Sequence, residues 1–456
     1  KCSLLHTFTN LNQILRMPKR LTLLLLVFSL IAYLLMGYTV ERSNFGYLIS
    51  IYSFLFLLYF IILLKPDLLD QKTAIISGLL FRFSLLFFIP NLSDDIYRFL
   101  WDGRIQQLGF NPFDYKPSEF LNIYSDAFLQ ELFPRLNSAD YYSVYPQFLQ
   151  TIFKFTVQLS KQNIFAAAII LKTIILFFEA GSVYLLIQLL KINRLNPKLL
   201  FIYLLNPLVI IELTGNIHFE AIMIFGMLFF AFLIQQNKVF AAIPALAIAI
   251  QAKLIPFIFI PLLFRKTGFY KTLLFGILSL LLFFVLSPYF WGNMNKLTHF
   301  YQSLQLYYGK FEFNGSIYSI FRAIGFWLTG YNTIEFLSKI MFAFTIIGFG
   351  FVYNLSKNIL GGMFWLLVIY LLFSAIVHPW YLASLIALSP FVKYRFVLIL
   401  SALVPLTYIT YHAVPYEQNY WLIGLEYLIS AAFLFYEYRK NKRRIHPANE
   451  ENILLV

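Results

Sequence analysis

An all-α polytopic membrane protein is the fold class this sequence predicts, and three features carry the prediction. Of its 456 residues, 60% are hydrophobic and only 12% charged, too few charges to coat a soluble protein of this length. Apolar runs of the roughly 17–25 residues needed to cross a bilayer recur from end to end. Lysine and arginine fall unequally on the two sides of those runs.

In chain order, spans are expected near 21–38, 47–64, 73–90, 164–189, 199–214, 218–236, 272–289, 333–353, 360–377, 380–392, 396–411 and 419–438. Segment 239–264 is too long for one clean helix and carries Lys253 and Pro256 near its centre. It reads as two short helices, a break tolerated only where it lines a cavity. The total is about 12–13 helices in one domain over 1–456.

With the N-terminus inside, 21 of the 35 basic residues fall in cytoplasmic segments, including Lys238, Arg265, Lys266, Lys271 and Lys357. The positive-inside rule then places both termini in the cytoplasm. The tail 439–456 is a basic anchor beside anionic lipid, so the net charge of +14 does not point to nucleic acid. The single cysteine, Cys2, excludes an internal disulfide. The first apolar run has no small-residue cleavage site after it and reads as a span, not a signal peptide.

Two segments leave the membrane on the outer side. The first loop, 91–163, holds eight of the 21 acidic residues, and the second, 290–332, reads as interfacial amphipathic helices. In the first, Ser93 is a good N-cap, Asp94 and Asp95 follow in the first turn, and Gly109 with Asn111-Pro112 stops the helix. Asp95, Arg98 and Asp102 share one face; Asp94, Tyr97, Trp101 and Arg104 share its neighbour. Locally this is a capped surface helix. Its start at the outer end of a span also lets a carboxylate meet a lipid-held substrate, with Arg98 holding that carboxylate ionised.

The run Ser93-Asp94-Asp95-Ile96-Tyr97-Arg98-Phe99-Leu100-Trp101-Asp102-Gly103-Arg104, with Gly109-Phe110-Asn111-Pro112-Phe113 after it, resembles the first-loop motif of bacterial GT-C glycosyltransferases. It is most similar to the polyprenyl-phosphate-mannose-dependent mannosyltransferase branch. Asn206-Pro207-Leu208 through His218-Phe219-Glu220 resembles a later segment of that family, with Phe219-Glu220 where Asn-Asp is usual. Ala249 to Pro256 looks like its Lys-centred broken helix, and His378-Pro379-Trp380-Tyr381 like its late motif. Phe311-Glu312-Phe313-Asn314 is a less distinctive match.

The resemblance implies a GT-C-like enzyme in the bacterial inner membrane that moves a hexose, most readily mannose, from a polyprenyl-phosphate donor. The acceptor is a hydroxyl of a glycan or a lipid-linked molecule, reached at the outer face. Asp95 or Asp94 is the expected base. Tyr97, Arg98, Trp101, Asp102, Arg104, His218, Glu220, Lys253, His378, Trp380 and Tyr381 are the expected substrate-binding residues. Lys253 must have a partner, since an unpaired cation in the membrane costs on the order of 3 kcal/mol; that partner is a lipid phosphate, or else Glu179 or Glu212. Trp380 and Tyr381 also suit an interfacial aromatic belt. The six histidines lack metal-ligand spacing, so no metal or other cofactor is expected. Arg82 and Glu179 are assigned no role. A transporter or flippase of a lipid-linked or small solute is the alternative; it calls for midplane charges and internal symmetry, and no repeat is visible.

Overall fold

The computed structural model describes residues 19–445 except 293 and 413–415. Lys1, Cys2, Arg16 and the tail beyond residue 445 lie outside the described residues. The described chain is helical, with only two isolated bridges, from Phe313 and Asn314 to Ile376.

Helices α1 (Lys19–Tyr38), α2 (Phe45–Leu64) and α3 (Gln71–Ser84) precede the first large loop. That loop contains α4 (Asp95–Gln107) and α5 (Gln147–Ser160), and α6 (Ile164–Ile192) follows it. Next come α7 (Glu220–Gln235), α8 (Ala242–Ala252) and α9 (Phe269–Val285). Beyond them are α10 (Met294–Gly309), α11 (Ile317–Thr329), α12 (Ile334–Leu355), α13 (Ile359–Leu372) and α14 (Tyr420–Ile445).

The helices confirm an all-α polytopic protein, but they are less regular than the hydropathy runs. Among the described residues, α1, α2, α6 and α12 are long and apolar enough to cross a membrane alone, and one bent pair makes a fifth. Six further apolar helices are only 10–17 residues long. Proline and buried polar groups account for much of the difference. The run 199–214 bends by 50° between Pro197–Leu204 and Pro207–Gly215, because Pro207 lacks an N–H and Asn206 caps the new start by accepting from Val209 N (3.3 Å). The run 73–90 is helical only to Ser84; beyond it, Lys172 donates to the carbonyls of Leu85 and Phe88 (2.8 Å each). Segment 380–392 is not a straight span. It is a seven-residue helix, Leu382–Leu388, between the 3-10 turns Pro379–Tyr381 and Ser389–Phe391.

Segment 239–264 breaks where its sequence predicts. Helix α8 ends at Ala252, Lys253 is extended (φ −160°, ψ 137°), and a 3-10 helix runs Ile255–Leu263 through Pro256 and Pro261. Within the first large loop, α4 and α5 pack closely on each other. At Gly103 a Cβ would overlap the Phe153 carbonyl, so α4 and α5 touch backbone to backbone. Phe99 stacks on Phe153 with ring centroids 4.8 Å apart, worth roughly 0.5–1.5 kcal/mol beyond its burial.

Candidate active site

Helix α4 begins one residue later than its sequence predicts, at Asp95, and Ser93 Oγ accepts from Asp95 N (3.3 Å). The two acids at its start have different partners. Asp94 is held by the Arg42 guanidinium at 2.7 Å, and Arg42 in turn lies over the Tyr411 ring (4.5 Å). Asp95 accepts from the neutral Asn137 amide (2.8 Å). Burial pushes the Asp95 carboxyl above the usual carboxylate range. The Asn137 hydrogen bond opposes that rise, the charges of Asp94 and Glu220 add to it, and Lys253 opposes it.

Arg98 does not hold Asp95. Its Nε donates to Asp102 (2.8 Å), and its Nη1 donates to the carbonyls of Ser138 and Tyr141 (2.9 Å each). Asp102 also accepts from Ser143 Oγ (2.5 Å) and Gln150 Nε2 (2.8 Å). An i,i+4 pair buried on a helix satisfies its remaining donors and acceptors from the adjoining loop, so this pair pins residues 138–150 to α4. Trp101 is buried against Phe120 and Phe133. Arg104 holds Asp126 at 2.5 Å, and Asp126 caps the next short helix through Leu129 N. Tyr97 lies under Arg135, 5.4 Å from its ring centroid. The structure thus gives Arg98, Trp101, Asp102 and Arg104 partners inside the loop itself.

The second half of the site comes from three later segments. Lys253 donates to Glu220 at 2.6 Å and sits 3.3 Å from the Tyr381 ring centroid. Neither Glu179 nor Glu212 is its partner: Glu179 pairs with Arg82 (2.7 Å), and Glu212 accepts from Tyr52 (2.7 Å) and Tyr408 (2.8 Å). The side chain of Lys253 reaches α7 because the chain is extended there, which a continuous helix would not allow.

Around this pair the rings form one stack. Trp380 lies between His218 (3.7 Å) and His378 (4.4 Å), and Phe313 covers the far side of His378 (4.6 Å). His218 Nδ1 lies 2.7 Å from the Glu212 carbonyl. A carbonyl can only accept, so Nδ1 carries the proton and Nε2 is left an acceptor. His218 Nε2 and His378 Nδ1 are buried and have no hydrogen-bond partner among the described residues.

Phe219 ties the halves together. Its ring packs against Phe99 (5.1 Å) and Phe153 (5.5 Å), so the segment carrying His218 and Glu220 rests on the loop helices. Asp95, Glu220 and Lys253 are close enough to act on one another's charge. Four stretches separated by up to hundreds of residues meet at one place. Arg42, Asn137 and Tyr411 belong to it too. Sequence reasoning passed over them, and the one signal available was Arg42 as a lone cation in the short turn between α1 and α2.

Residues 23–266, just over half of the chain, match the family model described as alpha-(1->6)-mannopyranosyltransferase, N-terminal domain. The chain belongs to this family. No curated protein and no solved structure matches the chain. The matched region contains Asp94, Asp95, His218, Glu220 and Lys253, while His378, Trp380 and Tyr381 lie beyond it. This mannosyltransferase therefore completes its aromatic stack from its C-terminal part.

Proposed function

We propose that this mannosyltransferase moves a mannosyl group from a polyprenyl-phosphate donor to an acceptor hydroxyl at the outer face of the membrane, inverting the anomeric carbon. The observation that carries the reading is the partnership of Asp95. It is a half-buried carboxylate whose direct partner is a neutral amide, and it shares its site with Lys253. Asp94, committed to Arg42, is the poorer base.

Asp95 takes the proton of the acceptor hydroxyl, and the oxygen attacks C1 as the bond from C1 to the phosphate oxygen breaks. Polyprenyl phosphate leaves as a dianion and needs no proton. It needs positive charge, which Lys253 supplies from the chain break, with His378 as a second hydrogen-bond donor on that side. Glu220 holds Lys253 in place until the phosphate arrives. Tyr381, beside Lys253, packs against the sugar, Tyr97 lies on the loop side, and the His218–Trp380–His378 stack backs the site. The acceptor is a glycan or lipid-linked hydroxyl, and the protein sits in a bacterial inner membrane.

The test is to incubate the purified protein with a panel of polyprenyl-phosphate sugars and a mixed glycan acceptor, and to measure released polyprenyl phosphate. Release with the mannose donor that disappears in Asp95→Asn is expected. Transfer from a nucleotide sugar instead, or an Asp95→Asn enzyme of parental rate, would sink the reading.

A further inference from the structure

A large cavity lies at the other end of the bundle. It has a volume of about 1080 Å³ and opens between the 3-10 helix Ile255–Leu263, α9 and the adjoining ends of α12 and α13. The cavity wall begins at Ile260, five residues along that 3-10 helix from its start beside Lys253, roughly 10 Å at about 2.0 Å per residue. None of the aspartates, glutamates or histidines discussed above lines it.

Its two ends differ in chemistry. One wall is apolar and includes Leu273, Ile277 and Leu280, side chains about half exposed that a membrane would cover with acyl chains. The other end carries Arg265, Lys266 and Lys357, and no acidic residue lines the cavity anywhere. Arg265 donates to the carbonyls of Asn354 and Ser356, and Lys266 to the carbonyl of Ile234. These contacts fix both cations at the rim and leave further N–H donors on each. Lys357 makes no ion pair or hydrogen bond among the described residues. Helix α13 starts at Ile359, also on the cavity, with the positive end of its dipole toward it.

We infer that this cavity is a binding site for one anionic phospholipid, its phosphate at Arg265, Lys266 and Lys357 and its acyl chains along α9. Charge complementarity selects the occupant: three cations without a facing acid attract a phosphate, and an apolar wall open to the side admits chains. The volume is at or above the roughly 300–1,000 Å³ of sites for small ligands, as a long-chain guest requires. A basic pocket between helices beside a positively charged membrane face is the expected place for such a lipid. The inference does not depend on the donor or mechanism proposed above.

The experiment is native mass spectrometry of the full chain in detergent, with phosphatidylglycerol or phosphatidylcholine of the same acyl chains. The parent should retain phosphatidylglycerol with a preference of about tenfold. The double variant Lys266→Gln/Lys357→Gln should bring the two lipids near parity, and Gly276→Phe, which fills the cavity, should lose both. Lys357→Gln alone touches no internal partner, so it reports on the charge even if the Lys266 change disturbs folding, and it should lower the preference by itself. Equal retention of both lipids by the parent overturns the inference, as does a preference unchanged in Lys357→Gln and the double variant. Displacement of phosphatidylglycerol by equimolar polyprenyl phosphate also overturns it, since the site would then hold the donor lipid.

Discussion

Lys253 and Glu220 form an ion pair at 2.6 Å across a break in the bundle, with the Lys253 side chain 26% and the Glu220 side chain 8% exposed. Removing one partner of such a pair leaves the other charge uncompensated in a poorly solvated place, at a cost of about 3–5 kcal/mol when burial is complete and less here. Lys253→Gln and Glu220→Gln should each lower the unfolding midpoint. The double variant should recover part of the loss, a coupling of about 1–3 kcal/mol in a double-mutant cycle. Activity should separate the two residues, because Lys253→Gln loses the charge for the leaving phosphate and Glu220→Gln keeps it. Strict additivity of the two stability losses would show that the pair is incidental.

Asp95 gives a pH prediction with a definite sign. Burial raises its folded-state pKa, so the base is lost by protonation earlier than for an ordinary carboxylate. The rate of transfer should fall on the acid side with a midpoint above the usual carboxylate range. Asn137→Leu removes a hydrogen bond that favours the charged form and should move that midpoint further up. Asp94→Asn removes a like charge and frees Arg42, and should move it down. The pH profiles of kcat/KM for the three proteins check this. Shifts in the opposite directions would remove Asp95 from the role of base.

Much of the architecture was legible because local chemistry decides it. Hydropathy placed the helices, and Ser93, Gly109 and Asn111-Pro112 bounded α4 to within a few residues. The break at Lys253 followed from a cation and a proline in an apolar run too long for one helix. What periodicity could not supply was the destination of each side chain. Asp95, Arg98 and Asp102 share a helix face, yet Arg98 turns along its helix to Asp102 because the 138–150 loop brings carbonyls to that side. Arg42 and Asp94 are 52 residues apart, and only tertiary packing makes them partners. The straight span expected over 380–392 failed for a related reason: hydropathy reports burial in protein and in lipid alike, and Leu382–Leu388 is buried in the bundle.

Gly103 tests the packing of α4 on α5 within the first loop. A Cβ there would meet the Phe153 backbone, and a backbone cannot swing aside as a side chain can. Gly103→Ala should cost about 1–3 kcal/mol by overpacking, outweighing the gain in helix propensity of about 1 kcal/mol. The thermal unfolding midpoint of the purified protein measures it. An unchanged or higher midpoint would mean that α4 and α5 are not in backbone contact.

Arg98 separates a structural role from substrate binding. Its planar guanidinium meets Asp102 through Nε and two carbonyls through Nη1, a geometry that a lysine ammonium cannot reproduce from one point. Arg98→Lys keeps the charge, so a residue that served only as a counter-ion to the donor phosphate would be largely rescued. A residue that pins the loop would not. The expected result is a lowered unfolding midpoint, with the loss of activity tracking the folded fraction and KM for the donor nearly unchanged. A raised donor KM at full stability would instead return Arg98 to the phosphate, and would require the Arg98–Asp102 pair to open when the donor binds.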